Sequence, residues 1–213
     1  ALMASSGYAG IADVKQILET KDSEGFVFKD ELSKIGWNGS EKVGEQKMHC
    51  YFELHIEQGP ILENENIDIG VVTHGQGLKW LEIELNGLEQ HTGTTPMHVR
   101  KDAGLAMSII IQEVNKIAIN NLPNVVGSVG QIDVFPNSRN VIPGKTIFTV
   151  DFRSHLNKKL NNMEKELNLI VEKICKKMQI EFSIKQIGGF DPIEFDKNCV
   201  NQIRNAAIKF GYS

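Results

Sequence analysis

The sequence is short of everything that marks a secreted, membrane-spanning or nucleic-acid-binding chain. Cysteine is scarce. Cys50, Cys175 and Cys199 are odd in number, widely spaced and form no CxxC pair, which argues against a disulfide framework and favours reduced thiols in a cytosolic protein. Long apolar runs are missing: none approaches the roughly 20 residues that a membrane span requires. The opening Ala1-Leu2-Met3-Ala4-Ser5-Ser6-Gly7 has no charged stretch followed by an apolar core, so it is not a secretory signal. Basic charge is not in excess either, and a net charge of −4 gives no positive field for nucleic acid. Repeats and low-complexity tracts are absent.

What is present is ordinary globular material. The 213 residues are 41% hydrophobic and 23% charged, which argues against disorder and suits one large or two small domains.

Hydrophobic periodicity divides the chain. Residues 8–20 read as a helix, with Ile11, Val14, Ile17 and Leu18 at helical spacing, and Glu24 to Ile35 as a second one stopped by Gly36. Trp37 to Lys47 reads as a loop. Cys50 to Glu57 reads as a strand that puts Glu53, His55 and Glu57 on one face. An imidazole between two carboxylates, running into Gly59-Pro60, fits a metal ligand brought to a strand end; it equally fits an edge strand with one ordinary histidine. A helical turn at Ile61–Glu63 and a strand over Ile67–Thr73 follow.

From residue 77 the pattern is sharper. Leu81, Ile83 and Leu85 alternate with Glu82, Glu84 and Asn86, which predicts a half-buried antiparallel strand over 78–88. After a polar turn, Gln90 to Pro96, come a helix (Asp102–Ile119), a strand (Val125–Val134), a turn at 136–140 and a strand (Lys145–Arg153). A long helix (Asn157–Met178) and a strand (Ile180–Ile187) broken by Gly188-Gly189 complete the series. The order β-α-β-β-α-β over 77–189 is the ferredoxin-like split βαβ arrangement. Residues 1–75 and 190–213, the latter with one helix over Asp196–Phe210, hold too few strands for a core of their own. They read as parts of a larger α/β domain into which the 76–189 module is inserted.

Several stretches together resemble one family. Phe52-Glu53-Leu54-His55-Ile56-Glu57-Gln58-Gly59-Pro60, then His91-Thr92-Gly93-Thr94-Thr95-Pro96-Met97, then Asn140-Val141-Ile142-Pro143-Gly144-Lys145 with Asp151-Phe152-Arg153, are similar to the dinuclear-metal amidohydrolases. That family includes N-carbamoyl-L-amino-acid hydrolase, allantoate amidohydrolase and β-ureidopropionase, relatives of the zinc aminopeptidases with a dimerisation or lid domain.

The resemblance implies a metal-dependent hydrolase of linear carbamoyl or ureido C–N bonds. It further implies a cytoplasmic homodimer with a lid (76–189) inserted in a metallohydrolase catalytic domain (1–75 and 190–213). His55 resembles a ligand to one of two bridged divalent metals (Zn, Mn, Co or Ni). Gln58 would hydrogen-bond the substrate beside the metals. His91 resembles the residue that crosses the dimer to stabilise the oxyanion, and Asn140 and Arg153 the pair that holds the substrate carboxylate. Read without the family, His91 is a solvated loop histidine, Arg153 a surface ion-pair partner and Asn140 a turn former. Glu53 and Glu57 carry no catalytic role in either reading.

The family's His and Asp, its Glu-Glu pair and its late Gly-His motif and final His ligand are missing. The chain is therefore expected to be an internal fragment that is inactive alone, since each metal needs about four ligands and the water needs its base. Two other readings stand beside this one: a non-catalytic dimerisation or ligand-binding module, and an allantoate amidohydrolase or dipeptidase relative.

Overall fold

A computed structural model describes residues 3–213, which divide into two compact units, 3–56 and 57–213.

The first unit is built from short helices. α1 (Met3–Tyr8) packs on α2 (Val14–Leu18), and α3 (Phe28–Lys34) follows. The single helix expected over 8–20 is not formed. Gly10 takes a left-handed φ of 70° and Asp13 caps a fresh helix by accepting the Lys15 N–H at 2.7 Å, so the chain turns between them. The second helix starts late because the Asp22 carboxylate accepts the N–H groups of Glu24 and Phe26, both at 2.9 Å, and ties residues 22–26 into a turn. Nor is the strand expected over 50–57 formed. Alternation specifies a strand only where a neighbour takes its backbone groups, and here Leu54 and Ile56 are 97% and 74% exposed.

The second unit opens with α4 (Ile61–Glu65). Its next segment is not the strand expected over 67–73: the N–H groups of Asp68 and Ile69 donate to the Ser213 carbonyl instead. β1 (His74–Gly75) pairs with β8 (Ile193–Glu194), and α7 (Lys197–Lys209) follows β8.

Between β1 and β8 lies the ferredoxin-like module. Its elements run β2 (Gly77–Asn86), β3 (Gln90–His91), α5 (Ala103–Asn120), β4 (Val125–Phe135), β5 (Val141–Ile142), β6 (Lys145–Ser154), α6 (Asn157–Met178) and β7 (Glu181–Phe190). The four long strands make one antiparallel sheet in the order β4-β6-β2-β7. Alternation decides its faces. Leu81, Ile83 and Leu85 of β2 and Phe148, Val150 and Phe152 of β6 are buried in one core with Ile110, Val114 and Ile117 of α5 and Leu160, Met163, Leu167 and Val171 of α6. Each such side chain contributes roughly 1.5–3 kcal/mol on burial. Trp80, Glu82 and Glu84, with Ile147, Thr149, Asp151 and Arg153, occupy the other face.

The break expected at Gly188-Gly189 is a bulge instead. The register slips between Trp80 and Leu81, and β7 continues to Phe190. Glycine suits the bulge because a Cβ on Gly189 would stand 2.8 Å from the Leu78 carbonyl oxygen of the neighbouring strand.

Candidate functional site

At the end of the sheet where β2 finishes and β6 begins, a corner is closed by backbone bonds. The Gly87 N–H donates to the Gly144 carbonyl at 2.7 Å, and the Ala103 N–H to the Pro143 carbonyl at 3.1 Å. On this corner β3 pairs with β5, with His91 opposite Val141 and Gln90 opposite Ile142. The next rung is formed by the Thr92 N–H, which donates to the Asn140 carbonyl at 3.1 Å. His91 and Asn140, far apart in sequence, thereby lie one rung apart on the same corner.

Both side chains are exposed, and each has one polar atom already committed. The Gly93 N–H donates to Nδ1 of His91 at 3.0 Å, so a neutral ring carries its proton on Nε2. The Ser138 hydroxyl donates to Oδ1 of Asn140 at 2.8 Å, which leaves the amide NH2 for another partner. Nε2–H of His91 and Nδ2–H of Asn140 are therefore left as donors on this corner, each of a kind that suits an oxygen carrying negative charge.

Arg153 is elsewhere. It lies on the helix-free face of β6, opposite Leu78 of β2 and Val126 of β4, at the far end from the corner. Lys145 to Arg153 spans roughly 26 Å at about 3.3 Å per residue. Its guanidinium gives Nε and Nη2 to the Asp151 carboxylate, with Nη2–Oδ2 at 2.7 Å. The hydrogen bond and charge of Asp151 hold the Arg153 pKa above its ordinary value against a smaller opposing effect of burial. The Nη1 edge stays open for a second carboxylate. Within one chain, then, Asn140 and Arg153 do not meet.

The two remaining candidates belong to the stretch around residue 57. Gln58 is exposed, with a left-handed φ of 54° that a side-chain-bearing residue rarely adopts. Glu57 beside it caps α4, accepting the Ile61 N–H at 3.0 Å and the Leu62 N–H at 3.1 Å, so both its oxygens are in use. His55 is exposed and its Nδ1 donates to the Ile56 carbonyl at 2.6 Å. That leaves Nε2 for a metal, with the other nitrogen oriented in the manner of many ligating histidines. One such histidine does not make a metal centre: among the described residues no three His, Cys, Asp or Glu side chains come together. The residues present do not by themselves fit a pair of metal ions.

Reading the sequence alone did not reveal Arg100. Its guanidinium donates to the carbonyls of Thr92 and Thr95, on the turn that carries His91. A lone arginine after Pro96-Met97-His98-Val99 gives no signal of that contact. Two further observations bear on setting: no helix among the described residues is long and apolar enough to cross a membrane, and no disulfide joins the cysteines.

Comparison with known proteins gives consistent results. The family model for the peptidase dimerisation domain matches residues 73–179. An N-carbamoyl-L-amino-acid amidohydrolase of Rhizobium meliloti is 52% identical over all of this chain and 51% of its own length. Allantoate amidohydrolase of Escherichia coli is 33% identical over 92% of this chain and 48% of its own. The crystal structure of a hydantoinase/carbamoylase family amidase from Burkholderia vietnamiensis superposes with a TM-score of 0.89 at 44% identity, covering 100% of this chain and 52% of that one. The chain thus spans about half the length of the relatives it matches.

Proposed function

Since this chain belongs to the hydantoinase/carbamoylase family of amidohydrolases and carries their peptidase dimerisation domain, we propose that it is the substrate-gripping half of a metal-dependent hydrolase of N-carbamoyl-L-amino acids. The observation that carries the reading is that the β3–β5 ladder brings His91 and Asn140 to one corner, one rung apart, each exposed and each with a donor uncommitted. The 52% identity to a carbamoylase, against 33% to an allantoate hydrolase, favours the carbamoyl amino acid as substrate.

In this reading Arg153 offers its Nη1 edge to the substrate carboxylate while Asp151 holds the opposite edge. Asn140 donates to the same end of the substrate. His91 donates its Nε2 proton to the ureido oxygen as that oxygen gains charge, which lowers the barrier because the donor is already aimed. Metal ions, if bound, would activate the attacking water; His55 would offer one ligand through Nε2, which does not by itself hold them. The 213 residues alone are then inactive. Assaying them with N-carbamoyl amino acids and added Mn, Co or Zn tests this, and clear turnover refutes it.

Because roughly 26 Å of β6 separates the corner from Arg153, the site is composite: one copy contributes Arg153 and its partner contributes His91 and Asn140. The unpaired edge of β4, with Val126 and Phe135 exposed, is the surface on which the second copy docks. In the active dimer, mixing His91→Ala chains with Arg153→Ala chains restores one whole site per hybrid, about a quarter of full activity for random pairing of a two-fold dimer. No recovery on mixing means that both residues act within one chain.

The lack of a metal-ligand cluster among the described residues also fits a non-catalytic dimerisation module. Metal-dependent turnover by the complete gene product excludes that alternative.

A further inference from the structure

A donor at Nε2 of His91 requires that the proton be kept off Nδ1, and the structure shows what keeps it off. The Thr92–Gly93 peptide is held at both ends: its N–H donates to His91 Nδ1 at 3.0 Å, and its carbonyl accepts Nη2 of Arg100 at 2.7 Å. A trans peptide is planar, with C=O and N–H pointing in opposite directions. Fixing one end therefore aims the other. We infer that Arg100 is a positioning residue that sets the tautomer and ring orientation of His91 through the Thr92–Gly93 peptide plane.

The arginine is well placed for this. The same Nη2 reaches the Thr95 carbonyl at 2.9 Å and Nε reaches it at 3.0 Å, while the Thr95 N–H donates to the His91 carbonyl at 3.2 Å. The turn from His91 to Thr95 is thus wrapped around one part-buried guanidinium, whose planar donors match two carbonyls in a way a lysine cannot. The base of that side chain is equally fixed. Two residues on, Asp102 caps α5 through the Leu105 N–H at 2.9 Å, and Ala103 is bonded to Pro143 in the segment that follows Asn140. Gly93 completes the device: a Cβ there would stand 3.2 Å from Cε1 and 3.4 Å from Nδ1 of His91, so only glycine lets the ring lie over its own turn without displacement.

The structural part of this inference is independent of chemistry. Its kinetic consequence rests on the oxyanion role proposed above for His91. The test is imidazole 15N NMR of the 213-residue chain above the histidine titration range, with His91 assigned by His91→Gln. The wild-type spectrum is expected to show Nδ1 as the unprotonated nitrogen of a single tautomer. Arg100→Ala is expected to give an averaged mixture, with Gly93 amide exchange at least about tenfold faster. Arg100→Lys keeps the charge but not the planar pair of donors, so it should fall between the two. Unchanged core amides of Phe148 and Val150 establish that each variant is folded.

In the active dimer, Arg100→Ala should lower kcat about tenfold with KM within about twofold, since aim and not binding is lost. A wild-type ring protonated on Nδ1, or a tautomer indifferent to both Arg100 variants, overturns the inference. If the tautomer responds while His91→Gln leaves kcat intact, the positioning stands and the oxyanion reading falls.

Discussion

Asp151 and Arg153 sit two residues apart on the helix-free face of β6, and the carboxylate of the first takes the Nε–Nη2 edge of the second. The pair turns a flexible cation into an oriented one. It stabilises the fold very little, because half-exposed ion pairs contribute about 0–1 kcal/mol. Its use is geometric.

Arg153→Lys separates those two roles. Lysine keeps the charge and reaches Asp151, but it has no second planar edge for a substrate carboxylate. Losing one charge-assisted bond, about 1.5–3 kcal/mol, should raise KM roughly 10- to 100-fold in the active dimer with kcat much less affected. Thermal unfolding should barely change. An unaltered KM would remove Arg153 from the substrate site.

Much of the module was legible in the sequence because one buried face forces a pattern. From Leu81 to Leu85 in β2 and from Phe148 to Phe152 in β6 the core-facing residues are all apolar, in α6 the stripe from Leu160 to Met178 repeats at helical spacing, and the bounds of α6 match expectation. The site was only half legible. His91 and Asn140 could each be picked out by resemblance, but their arrival at one corner depends on a two-residue ladder between distant turns, too short to leave a periodic signal. Arg100 speaks to main-chain carbonyls, which are the same in every sequence. In the first unit the breaks came from single side chains, Asp13 and Asp22, whose bonds to nearby N–H groups outweighed an apolar spacing.

Thr146 is fully buried on the core face of β6, and its hydroxyl has no partner. Valine has nearly the same shape and removes an oxygen that lost its water on folding. Thr146→Val should therefore stabilise the chain by about 1 kcal/mol, raising the urea midpoint without changing the slope. A lower midpoint would mean that the hydroxyl has a partner in solution.

Gly127 of β4 predicts the opposite sign. A Cβ there would lie 2.8 Å from both Cδ1 and Cε1 of Phe152 and 3.0 Å from Cβ of Ala118, in a wall made by the sheet and α5. Phe152 is fully buried and has little room to yield. Gly127→Ala should cost about 1–3 kcal/mol, the usual range for overpacking, despite the strand's general preference against glycine. Equal stability by denaturant titration would show that β4, an edge strand, shifts outward to accommodate the methyl group.

Cys175 links the core to pH. Its thiol is buried under α6, and burial pushes its pKa up to about 11, because the thiolate would have to leave water. The folded state therefore holds the proton more tightly than the unfolded chain. Stability from this residue is complete below the unfolded pKa near 9 and falls as pH rises through about 11. By pH 11 the loss should be about 2 kcal/mol. Cys175→Ala removes that slope but opens a small cavity, so the variant should be less stable at neutral pH and lose less on going to pH 11. The same burial predicts that a thiol reagent at pH 7 labels exposed Cys50 and leaves Cys175 intact until the chain unfolds. Rapid labelling of Cys175 in the native protein, or an alkaline slope identical in the alanine variant, would show that α6 opens far more easily than its packing implies.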